Sequence, residues 1–232
     1  TPGEFRHFNE FFTRALKPGA RIIDTREEVV ISPVDGYVSR SGIITAGRII
    51  QAKDMDYSVE SLLGGDPDLA GRFANGHYAT LYLSPRDYHR VHMPLAGVLE
   101  RMIYVPGRLF SVNPATTNAL EGLFARNERI INVFDTGIGK MAVVMVGAIF
   151  VGSMETVWAG EVTPARERRI KVEDYAGTAA ARYARGEEIG RFNMGSTVIL
   201  LFENDRVHWD ESLEPDRPVR LGEKIGEVIK RL

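Results

Sequence analysis

From residue 28 onward the chain is a succession of short β-type runs cut by Gly and Pro, and that punctuation constrains the fold more than any other feature. Val29-Val30-Ile31 runs into Ser32-Pro33-Val34-Asp35-Gly36 and on into Tyr37-Val38-Ser39. Further strands are expected at residues 78–83, 98–105, 130–134, 141–151, 156–158 and 198–202. Runs of this length and spacing predict a mostly β (α+β) chain with one barrel- or sandwich-like core and a few short peripheral helices, among them 58–63 and 116–126. Ahead of the strands, Phe5, Phe8, Phe11, Phe12 and Leu16 recur at three- and four-residue spacing, which predicts an N-terminal amphipathic helix stopped by Pro18 and Gly19. The longest apolar stretch, residues 141–152, is about half the ~20 residues a membrane helix needs. Residues 176–186, rich in Ala and Gly, read as a mobile surface connector that does not divide the chain, so 1–232 is expected to be a single domain.

The chemistry is bounded first by what is missing. The 232 residues contain no Cys, which excludes a disulfide scaffold, a thiolate metal site and a cysteine nucleophile. With 29 basic and 31 acidic residues the charge is nearly balanced and gives no reason to expect nucleic acid as a partner. No HExxH pattern or dense His/Asp/Glu cluster points to a metal. Of the five histidines, His89 and His92 stand together between Pro85 and Pro94, directly after an expected strand. Imidazole titrates near neutral pH, so this loop is either a polar surface turn with local hydrogen bonds or a proton-transfer site. Asp35 lies in a turn bounded by Pro33 and Gly36, an ordinary place for Asp and also a way to present a carboxylate. Ser196 follows Gly195 at the mouth of an apolar strand, as a strand-initiating residue or as a nucleophile; the run is not a G-x-S-x-G elbow. Asp35, His92 and Ser196 are together the three chemical types of a relay in which carboxylate orients imidazole and imidazole takes a hydroxyl proton. Geometry decides whether they form one.

Longer blocks carry a resemblance. Residues 11–14 read Phe-Phe-Thr-Arg, 32–36 Ser-Pro-Val-Asp-Gly, and 83–94 Leu-Ser-Pro-Arg-Asp-Tyr-His-Arg-Val-His-Met-Pro. Residues 104–113 read Tyr-Val-Pro-Gly-Arg-Leu-Phe-Ser-Val-Asn, and 123–129 Leu-Phe-Ala-Arg-Asn-Glu-Arg. Val-Gly-Ser-Met-Glu-Thr-Val-Trp-Ala-Gly at 151–160 and Gly-Arg-Phe-Asn-Met-Gly-Ser-Thr-Val at 190–198 complete them. In this order the blocks resemble the bacterial phosphatidylserine decarboxylases, which are pyruvoyl-dependent and self-processing. Met194 stands where the family more often has Leu, and Lys53-Asp54 where Lys-Gly is expected. The chain opens at Thr1, without the segment that usually precedes this point in the family.

The resemblance implies a chemistry that the residues alone leave open. Decarboxylating an amino acid headgroup leaves electrons on the α-carbon, and none of the twenty side chains is an electron sink. By resemblance, Ser196 supplies one: its hydroxyl attacks the Gly195 carbonyl, the resulting ester eliminates, and hydrolysis leaves a covalent pyruvoyl group. The products would be a β-chain of residues 1–195 and an α-chain of residues 196–232. His92 would be the base, Asp35 its orienting carboxylate, and His89 the group that protonates the α-carbon after carbon dioxide leaves. A phospholipid substrate, a peripheral position on the cytoplasmic face of the cell membrane, and a dimer of processed heterodimers are implied as well. The aromatic face of the first helix, opposite Arg6, Arg14 and Lys17, suits the headgroup region of a bilayer or packing on the core. The competing readings are a decarboxylase of a related amino substrate such as archaetidylserine or a free amino acid, a serine hydrolase using Asp35, His92 and Ser196, and a non-catalytic binding domain.

Overall fold

The computed structural model describes residues 5–149, 153–165, 167–177, 180–193 and 196–229. Within them the largest element is a nine-stranded antiparallel sheet. Its order is β12 (Lys171–Asp174), β7 (Gly97–Val105), β8 (Arg129–Thr136), β9 (Gly139–Val146), β15 (Ser196–Phe202), β5 (His77–Leu83), β2 (Gly36–Ile43) and β17 (Pro218–Val219), with β13 (Arg182–Tyr183) also beside β7. A four-stranded sheet runs β11 (Gly160–Thr163), β10 (Met154–Thr156), β14 (Glu188–Phe192) and β6 (Arg90–His92). A three-stranded sheet runs β1 (Val29–Ile31), β18 (Lys224–Val228) and β16 (Val207–Trp209), and β3 (Arg48–Ala52) pairs with β4 (Met55–Ser58). The sheets form a sandwich-like core and not a closed barrel, which decides between the two forms the sequence allowed.

Strands at the centre are buried on both faces, and their sequences show it. Every residue of β15 is buried, as are Ile130 to Phe134 in β8 and Met141 to Val146 in β9. Such strands read as continuous apolar runs instead of alternating ones. β2 alternates at its start, as a half-buried strand does. Gly36 opens β2 so close to β5 that a Cβ there would run into the carbonyl oxygen of Tyr82, so only glycine fits. The three-stranded sheet meets β15 through Phe202 and Trp209, whose ring centroids lie 5.7 Å apart.

The helices are shorter than their patterns predict. α1 covers only Phe8–Phe12, with the His7 Nδ1 accepting from the Glu10 N–H at 3.2 Å. It ends because Thr13 Oγ1 donates back to the Asn9 carbonyl and the Thr13 carbonyl accepts from Arg90 Nε at 2.8 Å, which draws the chain onto β6. α2 (Val59–Leu62) lies where a helix was expected. α3 (Pro67–Phe73) was not anticipated, although Asp66 caps the Leu69 N–H and Pro67 sits in the first turn. The expected helix at 116–126 is two, α4 (Pro114–Thr117) and α5 (Leu123–Arg126), separated by Gly122 at φ 65°. Two expectations for irregular chain also change. Residues 90–92 of the histidine segment are strand, and the 176–186 connector contributes β13, with Tyr183 buried; residues 178 and 179 lie outside the described set, as do 150–152 at the end of the run expected to continue β9. Among the described residues no helix is long and apolar enough to cross a membrane.

Candidate active site

Two segments far apart in sequence build the site. Leu83 at the end of β5 pairs with Ser196 at the start of β15, while His92, Val91 and Arg90 of β6 register with Glu188, Gly190 and Arg191 of β14. Between these pairings the His89 carbonyl accepts the Phe192 N–H at 3.0 Å. The histidine segment and the residues leading to Ser196 therefore run side by side. A third segment joins them through the Pro33 carbonyl, which accepts the His92 N–H at 2.9 Å and brings the Ser32–Gly36 turn to the same place.

Each candidate side chain is then fixed by its own contacts. Ser196 is fully buried, and among the described residues its Oγ has no hydrogen-bond partner. His89 is equally buried; its Nδ1 bonds to the Asp87 carbonyl at 2.8 Å and its Nε2 has no partner. Because a carbonyl only accepts, the Nδ1 carries the proton and the Nε2 offers a lone pair. Burial pushes this imidazole down to about 4, so it is neutral at neutral pH. His92 is held in the same tautomer by the Gly186 carbonyl, 2.9 Å from its Nδ1, and its Nε2 lies 3.0 Å from the Tyr88 hydroxyl. Burial lowers its pKa, while the negative charges of Glu188 and Asp35 act in the opposite sense. Asp35 accepts from the Leu221 N–H and from Arg21 Nε, both at 2.9 Å, and its other oxygen pairs with Arg21 Nη2.

Asp35, His92 and Ser196 thus belong to neighbouring segments, yet among the described residues no hydrogen bond links any two of them. The carboxylate bears on the imidazole as a nearby charge. Gly195, the expected cleavage partner, and Met194 lie outside the described residues.

The N-terminal segment lies across this region. The Phe12 ring stacks on His89 with centroids 4.2 Å apart, and Asn9 reaches Asn193 at 3.5 Å. Of the aromatic face, then, Phe12 packs inward whereas Phe8 is 61% exposed. Beside it opens a cleft of about 1130 Å³ bordered by Arg6, Arg14, Lys17, Arg90 and Arg191 as well as Phe5 and Phe11. On the other side of the junction Asn193 donates to Glu155 Oε1 at 3.0 Å and also bonds Ser153, which fixes the residue two before the expected cleavage partner.

Three contributors escaped the sequence reading. Tyr88 sits inside the histidine motif, where its phenol was visible but had no stated partner. Arg21 lies in a segment without a motif, and Gly186 acts through its backbone carbonyl, which no side-chain pattern reveals.

Residues 8–227 match the family model described as phosphatidylserine decarboxylase. The chain belongs to the phosphatidylserine decarboxylase family. A phosphatidylserine decarboxylase proenzyme of Nitrosococcus oceani is 54% identical over 229 residues, which cover 99% of this chain and 75% of the relative. One of Pseudomonas putida is 54% identical over 227 residues, covering 97% and 79%. One of Alteromonas mediterranea is 52% identical over 230 residues, covering 98% and 70%. This chain therefore spans about three quarters of the length of these relatives, each of them named a phosphatidylserine decarboxylase proenzyme.

Proposed function

We propose that this chain cleaves itself between Gly195 and Ser196 and then decarboxylates phosphatidylserine to phosphatidylethanolamine. The observation that carries the reading is the Ser196 hydroxyl, enclosed at the head of β15 with no hydrogen-bond partner among the described residues and beside the segment that bears both histidines. A buried, unsatisfied hydroxyl costs stability, and a reaction at that atom gives it a reason to persist.

In the first stage the Ser196 Oγ attacks the Gly195 carbonyl carbon and its proton passes to His92 Nε2. The new C–O bond replaces the peptide C–N bond, and the freed amine takes a proton. Loss of the Ser196 α-proton then expels the Gly195 carboxylate, and water displaces ammonia from residue 196 to leave a ketone. Asp35 supports this stage as a fixed negative charge near the imidazole, which favours its protonated form. A pyruvoyl group fits position 196, which is fully buried and where, among the described residues, nothing holds the Ser196 Oγ that departs with Gly195. A pyruvoyl carbonyl supplies the electron sink for decarboxylation.

In the second stage His89 is suited to carry a proton. Its neutral Nε2 can take one from the substrate ammonium and return it to the α-carbon, while the Asp87 carbonyl keeps the ring in place. In the cleft beside the N-terminal segment Arg90 and Arg191 are paired with Glu188 and Glu155, and Glu10 joins the lining. This leaves Arg6, Arg14 and Lys17 as the groups suited to the phosphodiester, and the exposed Phe8 suits work at a bilayer surface.

Intact mass spectrometry and denaturing gels on freshly made full-length chain test the proposal. The expected result is two fragments, 1–195 and 196–232, the smaller lacking a free amine. Ser196→Ala leaves a single intact chain that releases no carbon dioxide from phosphatidylserine. A wild-type chain that turns over lipid while uncut would sink the proposal, and labelling of intact Ser196 by a fluorophosphonate would assign it to a hydrolase instead.

A further inference from the structure

The proton acceptor that self-cleavage calls for is already occupied. The Gly186 carbonyl fixes the His92 proton on Nδ1, so in the neutral ring Nε2 has a lone pair and no hydrogen. The group 3.0 Å from that nitrogen is the Tyr88 hydroxyl, which must be the donor. Ser196 Oγ meanwhile has no partner among the described residues. The base and the nucleophile are therefore both present and not engaged with each other. Tyr88 is 8% exposed, and its ring lies 5.7 Å from the imidazole at an interplanar angle of 32°, which places the phenol against His92.

We propose that Tyr88 is a positioning residue that caps His92 Nε2 and thereby holds back self-cleavage, Ser196 gaining the base only when the Tyr88 O–H···Nε2 bond opens. The inference rests on the self-cleaving reading above and adds a competitor for its base. The balance of the step is simple. The Tyr88 hydroxyl keeps its proton and turns away, and the Ser196 proton then moves to the vacated Nε2 as Oγ attacks the neighbouring carbonyl.

Removing only the phenolic oxygen tests this. Tyr88→Phe keeps the ring and its packing, so Nε2 loses its donor and the imidazole keeps its Gly186 anchor. A donor bonded to the neutral ring stabilises the neutral form, and its loss raises the basicity of His92. The other charged groups around this pair, Glu188 and Arg90 beside it, Asp35 from the turn and Arg21 behind Tyr88, are unchanged by the substitution.

Full-length chain made by cell-free translation and followed on denaturing gels gives the rate. At about pH 8, Tyr88→Phe is expected to convert to fragments about fivefold faster than wild type, the worth of one neutral hydrogen bond. The acid limb of its pH–rate profile moves upward by about half a unit. An equal or slower rate overturns the inference, a slower one assigning the phenol to proton relay. The second measurement does not depend on cleavage. In the uncleavable Ser196→Ala background, nuclear magnetic resonance titration of His92 should show its midpoint rising when Tyr88→Phe is added, and an unmoved midpoint overturns the inference. If wild type yields no fragments, the self-cleaving reading itself has failed. If wild type cleaves and Tyr88→Phe matches it, only the role of Tyr88 has.

Discussion

His89 titrates far from where a solvent-exposed imidazole would, because enclosing the ring against Phe12 removes the water that would stabilise its charged form. The unfolded chain binds the proton with an ordinary pKa of 6.5, the folded one only at about 4. Between those values the unfolded state holds more protons, so stability is complete above about pH 6.5 and is lost as pH falls toward 4. The loss approaches 3 kcal/mol in order of magnitude, at about 1.4 kcal/mol per unit. Melting curves of Ser196→Ala protein across this range should show the decline, and adding His89→Gln should flatten it. A decline that survives that substitution would place the proton elsewhere. The same neutrality shapes the proposed catalytic role, since an imidazole without a proton on Nε2 can return one to carbon only after receiving it.

At the scale of elements, the long excursion between β7 and β8 is tied down by one buried amide. Gln51 Nε2 donates to the carbonyls of Thr117 and Leu120, each at 2.8 Å, and its Oε1 accepts the Leu123 N–H at 2.8 Å. This one side chain satisfies the backbone where α4 hands over to α5. Arg129 does related work below it, its guanidinium buried and bonded to the carbonyls of Leu62, Ser61, Ala125 and Asn127. Gln51→Leu keeps the bulk and strands two carbonyls and one N–H, each costing about 1 kcal/mol or more. Urea unfolding should therefore show a loss of about 3 kcal/mol, with amide exchange accelerating first at 117–123. An unchanged unfolding midpoint would mean that the excursion is held by its apolar contacts alone.

For the whole molecule, the proposed cut falls where the product cannot fall apart. β15 lies in the interior of the nine-stranded sheet, paired with β5 on one side and β9 on the other, and β18 of the same fragment pairs with β1. Val198, Ile199, Leu200, Leu201 and Phe202 are all fully buried, and at about 2 kcal/mol each they hold the strand by roughly 10 kcal/mol. Fragments 1–195 and 196–232 are expected to co-elute on native size exclusion and to separate only in denaturant. Spontaneous release of the smaller fragment would contradict the topology. Because β15 is already paired on both sides from its first residues, with Ser196 opposite Leu83, the proposed cleavage can proceed within a folded framework that keeps the new end of β15 beside β5.

How much of this was legible follows from where the information sits. The β class, the central strands and the candidate side chains Asp35, His89, His92 and Ser196 could be read directly, because burial on both faces leaves continuous apolar runs and reactive groups stand out in a chain without Cys. Element ends were less readable: α1 stops at Phe12 because Arg90 captures the Thr13 carbonyl, a contact spanning most of eighty residues. The pairing of groups was not readable at all. That Asp35 meets Arg21, that the distant Gly186 carbonyl sets the His92 tautomer, and that Tyr88, four residues before His92, turns its hydroxyl onto the other nitrogen depend on how the fold orients each group. Sequence determined which chemistry was available to this protein; only the tertiary structure decided which atom each group faces, because hydrogen bonding acts over a few ångströms and the chain brings those atoms together from distant positions.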